Sequence, residues 1–394
     1  MNLLLNTESM RPPLTGIGNY TYHLVQELSR RDDIEGFYCF DGQSFLHPQE
    51  MLQQCADAST SYQQASPTRN AASSGLTSLI RKIPGAYRVR QSIRDLRLLQ
   101  QTHRHRGFLY HEPNFILKKH PGPKVATIHD LSFMHYPQFH PAERVEWMMG
   151  GLHDTIGRAD MLITVSELVR TELIDCLNVA PDRVRAIHLG VDACYQPRTA
   201  EQTQATLSRH KLCHGKYLLF VGTLEPRKGV DLLMDAWMQL PASMRREFPL
   251  VLVGSSGWRN QQLLERVHEL QNSEGLRWLK YVAASELPQI YAGAAAFAYP
   301  SLYEGFGLPV LEAMASGVPV VCTAGTSMAE FAGDAPVLFE RGRTEELSTC
   351  LHRLLESEDA RLHLANIGLD VASSFTWSRF AARTFDAYRL AAAC

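Results

Sequence analysis

No stretch of this 394-residue chain holds about 18 consecutive apolar residues, the length a helix needs to span a bilayer, so no transmembrane segment is expected. Its eight cysteines, at positions 39, 55, 176, 194, 213, 322, 350 and 394, include no CxxC pair and no metal-ligand spacing. They read as reduced, mostly buried thiols of a cytosolic protein, not as a disulfide framework or a zinc site. Neither sign of charge dominates: a net charge of −2 gives nucleic acid no reason to bind the whole molecule. The opening MNLLLNTESM lacks a basic residue and its apolar run is too short for a secretion signal, so a cytoplasmic chain is expected. No internal repeat is visible.

What is present suits soluble globular domains. Apolar residues make up 45% and charged residues 20%, with chain enough for two buried cores. Short apolar runs at Leu3–Leu5, Phe37–Phe40, Phe108–Tyr110, Val125–Ile128, Met161–Val165 and Val184–Ile187 alternate with helical patterns, as in a doubly wound parallel sheet. A second set follows at 217–221, 250–253, 277–282, 295–299, 319–322 and 336–339, after a polar stretch at 193–215 that reads as a linker and a first helix. The expectation is an α/β protein of two Rossmann-like doubly wound domains, 1–193 and 194–375, with a ligand cleft between them. Residues 42–78 are expected to form a mobile insertion, above all 53–75, which is rich in Ser, Ala and Gln.

Residues 300–319, PSLYEGFGLPVLEAMASGVP, carry the most chemistry. Pro309 suits a first helical position, Val310 to Ser316 continue the helix, and Gly317 then Pro319 stop it. A helix N-terminus offers unpaired N–H groups and about half a positive charge, which suits phosphate. Gly305 and Gly307 let a ligand approach the backbone, with Phe306 and Leu308 beside them. Glu304, in the loop before the helix, can meet a sugar. Glu312, about one turn inside it, can accept from a ribose diol. The ligand this fits is a nucleotide-sugar. A second segment supports it: in FVGTLEPRKGVDLLMDAW at 220–237 a buried strand ends at Gly222 and Thr223, and Arg227 and Lys228 precede a helix. Open α/β sheets bind ligands beyond their strand C-termini. There a guanidinium can clamp a diphosphate bidentately while an ammonium acts as a point charge.

Together these segments resemble the C-terminal half of the large retaining glycosyltransferase family with the GT-B fold, often called family four. Its marks are a Glu–seven residues–Glu motif and an Arg-Lys pair after the first strand of the second domain. GTLEPRKG at 222–229, HDLSF at 129–133 and VSEL at 165–168 are most similar to bacterial mannosyl- and rhamnosyltransferases of lipopolysaccharide O-antigen and capsule assembly. The resemblance covers nearly the whole chain apart from about 42–78. It implies transfer of mannose or rhamnose from a GDP-sugar to a polyprenyl-diphosphate-linked glycan. It also implies a last helix, within 376–394, that crosses back to the first domain.

His129 ends a strand and so faces the crevice; the resemblance implies that it contacts the donor sugar or supports the transferring centre. Asp130 either orients that ring or meets the acceptor. Spacings of six and five from His129 to His135 and His140 fit no helical metal face, and these two read as structural. Gly16-Ile17-Gly18 superficially suggests a dinucleotide fingerprint, with Asp41 ending the second strand. Thr21 stands where its third glycine would be, and the loop from Asn6 to Gly16 is too long for that turn. Gly16 and Gly18 are instead expected in a loop closing over donor phosphate or acceptor. Gly254 and Ser255 are expected to touch phosphate, and the end of a strand at Tyr281-Val282 to hold the base.

Arg227, Lys228 and the helix N-terminus can stabilise charge on a departing diphosphate without a metal, and no Asp-x-Asp follows a strand, so neither metal nor cofactor is expected. No carboxylate is a convincing covalent nucleophile, Glu304 being the nearest, and the resemblance implies front-face attack with retention. Residues 76–107 hold eight Lys or Arg against one acid, Asp95, and Val89, Ile93, Leu96 and Leu99 share a helical face. Two readings stay open for 84–106: a basic helix docked on the inner membrane, or a core helix with a solvated basic back. A GT-B sugar-nucleotide epimerase and a non-catalytic nucleotide-sugar-binding paralogue are the rival functions.

Overall fold

The computed structural model describes residues 1–11, 14, 16–64, 105–257 and 260–393. The basic segment 84–106 therefore lies, up to residue 104, outside the described residues. Seven strands form the first sheet: β1 (Asn2–Asn6), β2 (Gly36–Phe40), β3 (Phe45–Leu46), β4 (Leu109–Glu112), β5 (Lys124–Ile128), β6 (Met161–Thr164) and β7 (Val184–Ala186). Their order is β3-β2-β1-β4-β5-β6-β7, parallel except for β3, which runs antiparallel to β2. Six strands form the second: β8 (Leu218–Val221), β9 (Leu250–Val253), β10 (Arg277–Leu279), β11 (Ala296–Tyr299), β12 (Val320–Thr323) and β13 (Val337–Phe339). Their order is β10-β9-β8-β11-β12-β13, all parallel.

The central strands are buried along their length because helices cover both faces, so they read as unbroken apolar runs such as LVLV and MLIT. Each sheet reverses its winding once, between β1 and β4 and between β8 and β11. Loops leaving neighbouring strands at such a reversal diverge to opposite faces and open a crevice. That geometry decides where the chemistry collects.

The expected insertion needs correction. Residues 45–46 form β3, and Pro48–Gln64 is a helix, so 53–64 is not a loop. Met51 and Cys55, four residues apart, are buried on one face of it. Thr7 Oγ1 donates to Met51 Sδ at 3.3 Å, and Cys55 Sγ to the Met10 carbonyl at 3.4 Å. A thin apolar stripe suffices to dock a helix whose Gln and Ala residues already favour it; the polar composition hid that stripe.

The last helix, Trp377–Ala392, packs against Gly16–Leu28, β5 and β6 of the first sheet. Tyr388 OH lies 2.6 Å from His111 Nδ1, and His111 Nε2 lies 2.8 Å from Thr127 Oγ1. A second-domain carboxylate completes the join. Glu330, in the helix Ser327–Ala332, accepts the backbone N–H groups of Glu167 and Leu168, each at 2.8 Å, and lies 2.8 Å from His188 Nε2. It thereby caps, together with the Ser166 side chain that accepts from the Val169 N–H, the N-terminus of the first-domain helix Glu167–Leu177. No helix among the described residues is long and apolar enough to cross a membrane.

Candidate active site

The two segments singled out in the sequence leave β8 and β11, the strands on either side of the second sheet's reversal. After β8 the chain makes a short 3-10 turn, Pro226–Lys228, and enters the helix Val230–Met238. After β11 it loops through Pro300–Gly307 into the helix Leu308–Ala315, whose N-cap, Gly307, carries no side-chain cap. Lys228 Nζ donates to Glu304 Oε1 at 2.6 Å and to Tyr299 OH at 2.9 Å. Ser301 Oγ donates to the same Oε1 at 2.5 Å, and Arg227 Nη1 stands 3.4 Å from it. Arg227 Nη2 also donates to Glu225 Oε1 at 2.9 Å, while its Nη1 donates to the Tyr303 carbonyl.

All three charged groups are largely removed from water, with side chains 11–12% exposed. Burial alone would raise the Glu304 pKa, yet Lys228 and Arg227 outweigh it and hold the carboxyl at about 2. Burial likewise opposes charge on Arg227 and Lys228, and Glu304 overrides it and raises both. The result is a carboxylate that cannot protonate at working pH, between two cations that cannot lose their protons. Such a group is a fixed electrostatic frame, of a kind that can stabilise negative charge developing beside it. Oε1 of Glu304 is already saturated with donors, which blunts it as a nucleophile.

The first domain supplies the facing wall. His129 follows β5, and its Nε2 lies 2.7 Å from the Pro113 carbonyl. A carbonyl can only accept, so Nε2 carries the proton and Nδ1 is the acceptor nitrogen. Tyr20 meets the ring edge-on at 4.9 Å. Burial lowers the His129 pKa against smaller opposing effects of Pro113 and Asp130, so the ring is neutral at pH 7. Asp130 Oδ1 accepts the Ser132 N–H at 2.9 Å and lies in the electrostatic reach of Arg227. Gly305 brings the domains into contact. A Cβ there would sit 1.8 Å from the His129 carbonyl oxygen, so only glycine permits this approach.

The other expected residues are distributed as follows. Gly222 and half-buried Gly254 abut each other at the ends of β8 and β9, with Thr223 and Ser255 exposed beside them. Val282 is half-buried just beyond β10, next to Tyr281, which is 66% exposed. Leu308 is half-buried at the helix start. Glu312 accepts from Tyr291 OH at 2.8 Å and from Tyr195; burial raises its pKa to about 7 despite those donors.

Two expectations are corrected. Gly16 and Gly18 do not lie in a loop but in the first turn of a helix, where a Cβ on Gly18 would press to 2.9 Å from the Ser9 carbonyl. Phe306 turns its ring into the core, stacked on Phe331 at 4.5 Å, so only its backbone can face a ligand.

Tyr299, Ser301 and Tyr303 were not singled out from the sequence, because within an apolar strand and its exit they look like packing. His135 pairs with Glu172 at 3.1 Å. His140 keeps Nε2 buried with no hydrogen-bond partner, within electrostatic reach of Asp130 and Arg227. Among the described residues no cluster of three or more His, Cys, Asp or Glu side chains is placed to hold a metal ion.

Comparison with known proteins fits this geometry. Residues 14–194 match the family model "Glycosyltransferase Family 4" and residues 209–370 the model "Glycosyl transferases group 1". Over 393 residues the chain is 34% identical to the O-antigen chain mannosyltransferase B of Escherichia coli, covering 99% of this chain and 100% of that one. The chain belongs to glycosyltransferase family 4. A 27% likeness to the Escherichia coli serotype-specific mannosyltransferase WbdA covers 66% of this glycosyltransferase and 32% of that longer protein. In fold it matches Anabaena HepE in complex with UDP and glucose, at TM-score 0.70, 17% identity and 98% of both chains. It also matches WaaG, a glycosyltransferase involved in lipopolysaccharide biosynthesis, at TM-score 0.70, 14% identity, 98% of this chain and 99% of that one. The two-domain GT-B architecture of the glycosyltransferase follows from these matches together with its two parallel sheets.

Proposed function

We propose that this glycosyltransferase moves mannose from GDP-mannose to a lipid-linked glycan, with retention of anomeric configuration, in O-antigen assembly. The observation that carries the reading is the Arg227–Lys228–Glu304 frame, set at the second-domain reversal and closed against His129 by Gly305. The full-length likeness to an O-antigen chain mannosyltransferase supports the choice of mannose over rhamnose.

In this reading the diphosphate lies between Lys228, Arg227 and the amides after Gly307, and Glu312 accepts from the ribose diol. Gly222, Thr223, Gly254 and Ser255 border the phosphates, Val282 the base, and His129 the hexose. The bond from the anomeric carbon to the phosphate oxygen breaks as the acceptor oxygen bonds that carbon on the same face. The acceptor's proton passes to the departing phosphate oxygen, whose new charge the two cations and the helix amides absorb. The cations meet that charge, so neither metal nor cofactor is required; chelator should leave the rate unchanged. Asp130 is assigned to the acceptor side. Docking on the cytoplasmic face of the inner membrane is assigned to 84–106, and charge reversal at Arg90, Arg94 and Arg97 should abolish flotation with anionic vesicles.

The test is incubation of the protein with GDP-mannose and a polyprenyl-diphosphate-linked primer, with GDP-rhamnose and UDP-glucose in parallel and NMR of the product. Transfer from GDP-mannose with an α linkage is expected. Epimerised nucleotide-sugar, or binding without turnover, would instead establish one of the rival functions.

A further inference from the structure

Tyr303 has no role in the chemistry above, yet it touches both halves of the site. Its carbonyl accepts from Arg227 Nη1, and its chain neighbour is Glu304. Its hydroxyl accepts the backbone N–H of Leu131 at 3.0 Å, two residues beyond His129, and donates to Glu172 Oε2 at 2.5 Å. Its ring lies 5.5 Å from that of His135 and 5.8 Å from that of Tyr136, and the residue is only 4% exposed. One residue of the second domain is thus bonded to the charge frame through its backbone and to the first domain's His129–Asp130–Leu131 corner through its side chain.

A hydroxyl that both accepts and donates, in a buried place, is directionally fixed in a way that apolar packing alone is not. The bond to a carboxylate is of the stronger, charge-assisted kind. Transfer between domains needs the donor's anomeric carbon and the acceptor held to within a fraction of an ångström, and small misplacement is expensive in rate.

We infer that Tyr303 is a positioning residue for the transfer, a gauge that sets the separation between the Arg227–Lys228–Glu304 frame and the His129–Asp130 corner. The inference rests on the proposed transferase reading for its kinetic consequence, but not for its structural one. Since the proposed reading seats the donor's nucleotide on second-domain residues alone, loss of the hydroxyl should disturb turnover and leave nucleotide affinity alone.

Tyr303→Phe, which keeps the ring and backbone, tests this in the full chain. The expected result is an about tenfold lower kcat, donor KM and GDP affinity within about twofold of the wild type, and about tenfold faster hydrogen exchange at the Leu131 amide. Glu172→Gln retains an acceptor for the hydroxyl and should show a smaller loss of kcat with the same split, which guards against a Tyr303→Phe protein that folds poorly. A lowered melting temperature with kcat and Leu131 exchange unchanged would overturn the inference, as would a matching loss of GDP affinity. If the wild type transfers no sugar from any donor, the transferase reading fails instead, and Leu131 exchange still decides whether Tyr303 fixes the interdomain spacing.

Discussion

Lys228 shows how much of a site rests on one side chain. It reaches Glu304 at 2.6 Å and Tyr299 at 2.9 Å from a 12% exposed position, so an alanine leaves Glu304 without its nearest cation and, in the proposed reading, removes one of the two cations facing the diphosphate. Lys228→Ala should lower kcat/KM about 10²–10³-fold, the loss seen when one charge-stabilising donor is removed, as steady-state kinetics would show. Glu312 offers a second residue-scale prediction, through pH. Burial among Tyr195 and Tyr291 lifts its pKa to about 7, so the folded chain favours the protonated acid and the carboxylate forms only as pH rises through that value. If the carboxylate is what accepts from the ribose, donor KM should fall between about pH 6 and 8, and Glu312→Gln should flatten the profile. The same shift makes a contribution to stability that is full below the ordinary glutamate range and fades as pH rises through about 7. A KM that does not vary with pH in the wild type would count against the ribose role. The charged residues of the site were readable as types at fixed spacing; Tyr299, Ser301 and Tyr303, which orient them, were not, because nothing in a strand's sequence tells a packing tyrosine from a bonding one.

At the scale of elements, the loop between β11 and the helix Leu308–Ala315 is the part whose shape matters most. Proline near the helix start and glycines before it were legible, and the helix, Leu308–Ala315, begins one residue before Pro309, the position they suggest. The reason for Gly305 was not legible. Its missing side chain makes room for a carbonyl from another domain, a contact that no local pattern encodes. Gly305→Ala should wedge the two domains apart or displace the loop, destabilising the protein by about 1–3 kcal/mol in a denaturant titration. Activity should fall at least tenfold even below the melting temperature, because His129 and Glu304 no longer keep their spacing. Retained stability together with retained activity would show that the loop yields freely. The helix Pro48–Gln64 failed in the opposite direction: its composition read as a loop, and only the docking of Met51 and Cys55 reveals it.

The whole molecule depends on how its two domains are held together. Glu330, from the second domain, is the clearest fastener, binding two first-domain amides and first-domain His188. Burial tends to raise its pKa, but His188 and the two amides prevail and lower it. A depressed carboxyl contributes stability that is complete above the ordinary glutamate range and is lost as pH falls through that range to the lowered value. Glu330→Ala should therefore cost about 1–3 kcal/mol near pH 7 and much less in strong acid, measured as denaturant midpoints across pH. It should also loosen the interdomain arrangement, which small-angle scattering would record as a larger radius of gyration. The crossing of Trp377–Ala392 onto the first sheet is a second fastener, sealed by Tyr388 against His111.

Sequence alone determined the two alternating α/β sets, the position of the helix Leu308–Ala315, and the residue types of the charge frame, since strand burial, helix punctuation and charge are local properties that survive without coordinates. It also carried the family resemblance, which rests on spaced motifs. Tertiary structure decided the rest. Only the reversal of strand order brings β8 and β11 side by side, so that Lys228 donates a hydrogen bond to Glu304, 76 residues away along the chain. Only the packing of one domain on the other puts Gly305 against His129 and Tyr303 against Leu131. Contacts between residues distant along the chain depend on how whole sheets are placed, and that placement is a sum over the entire core, not a property of any segment.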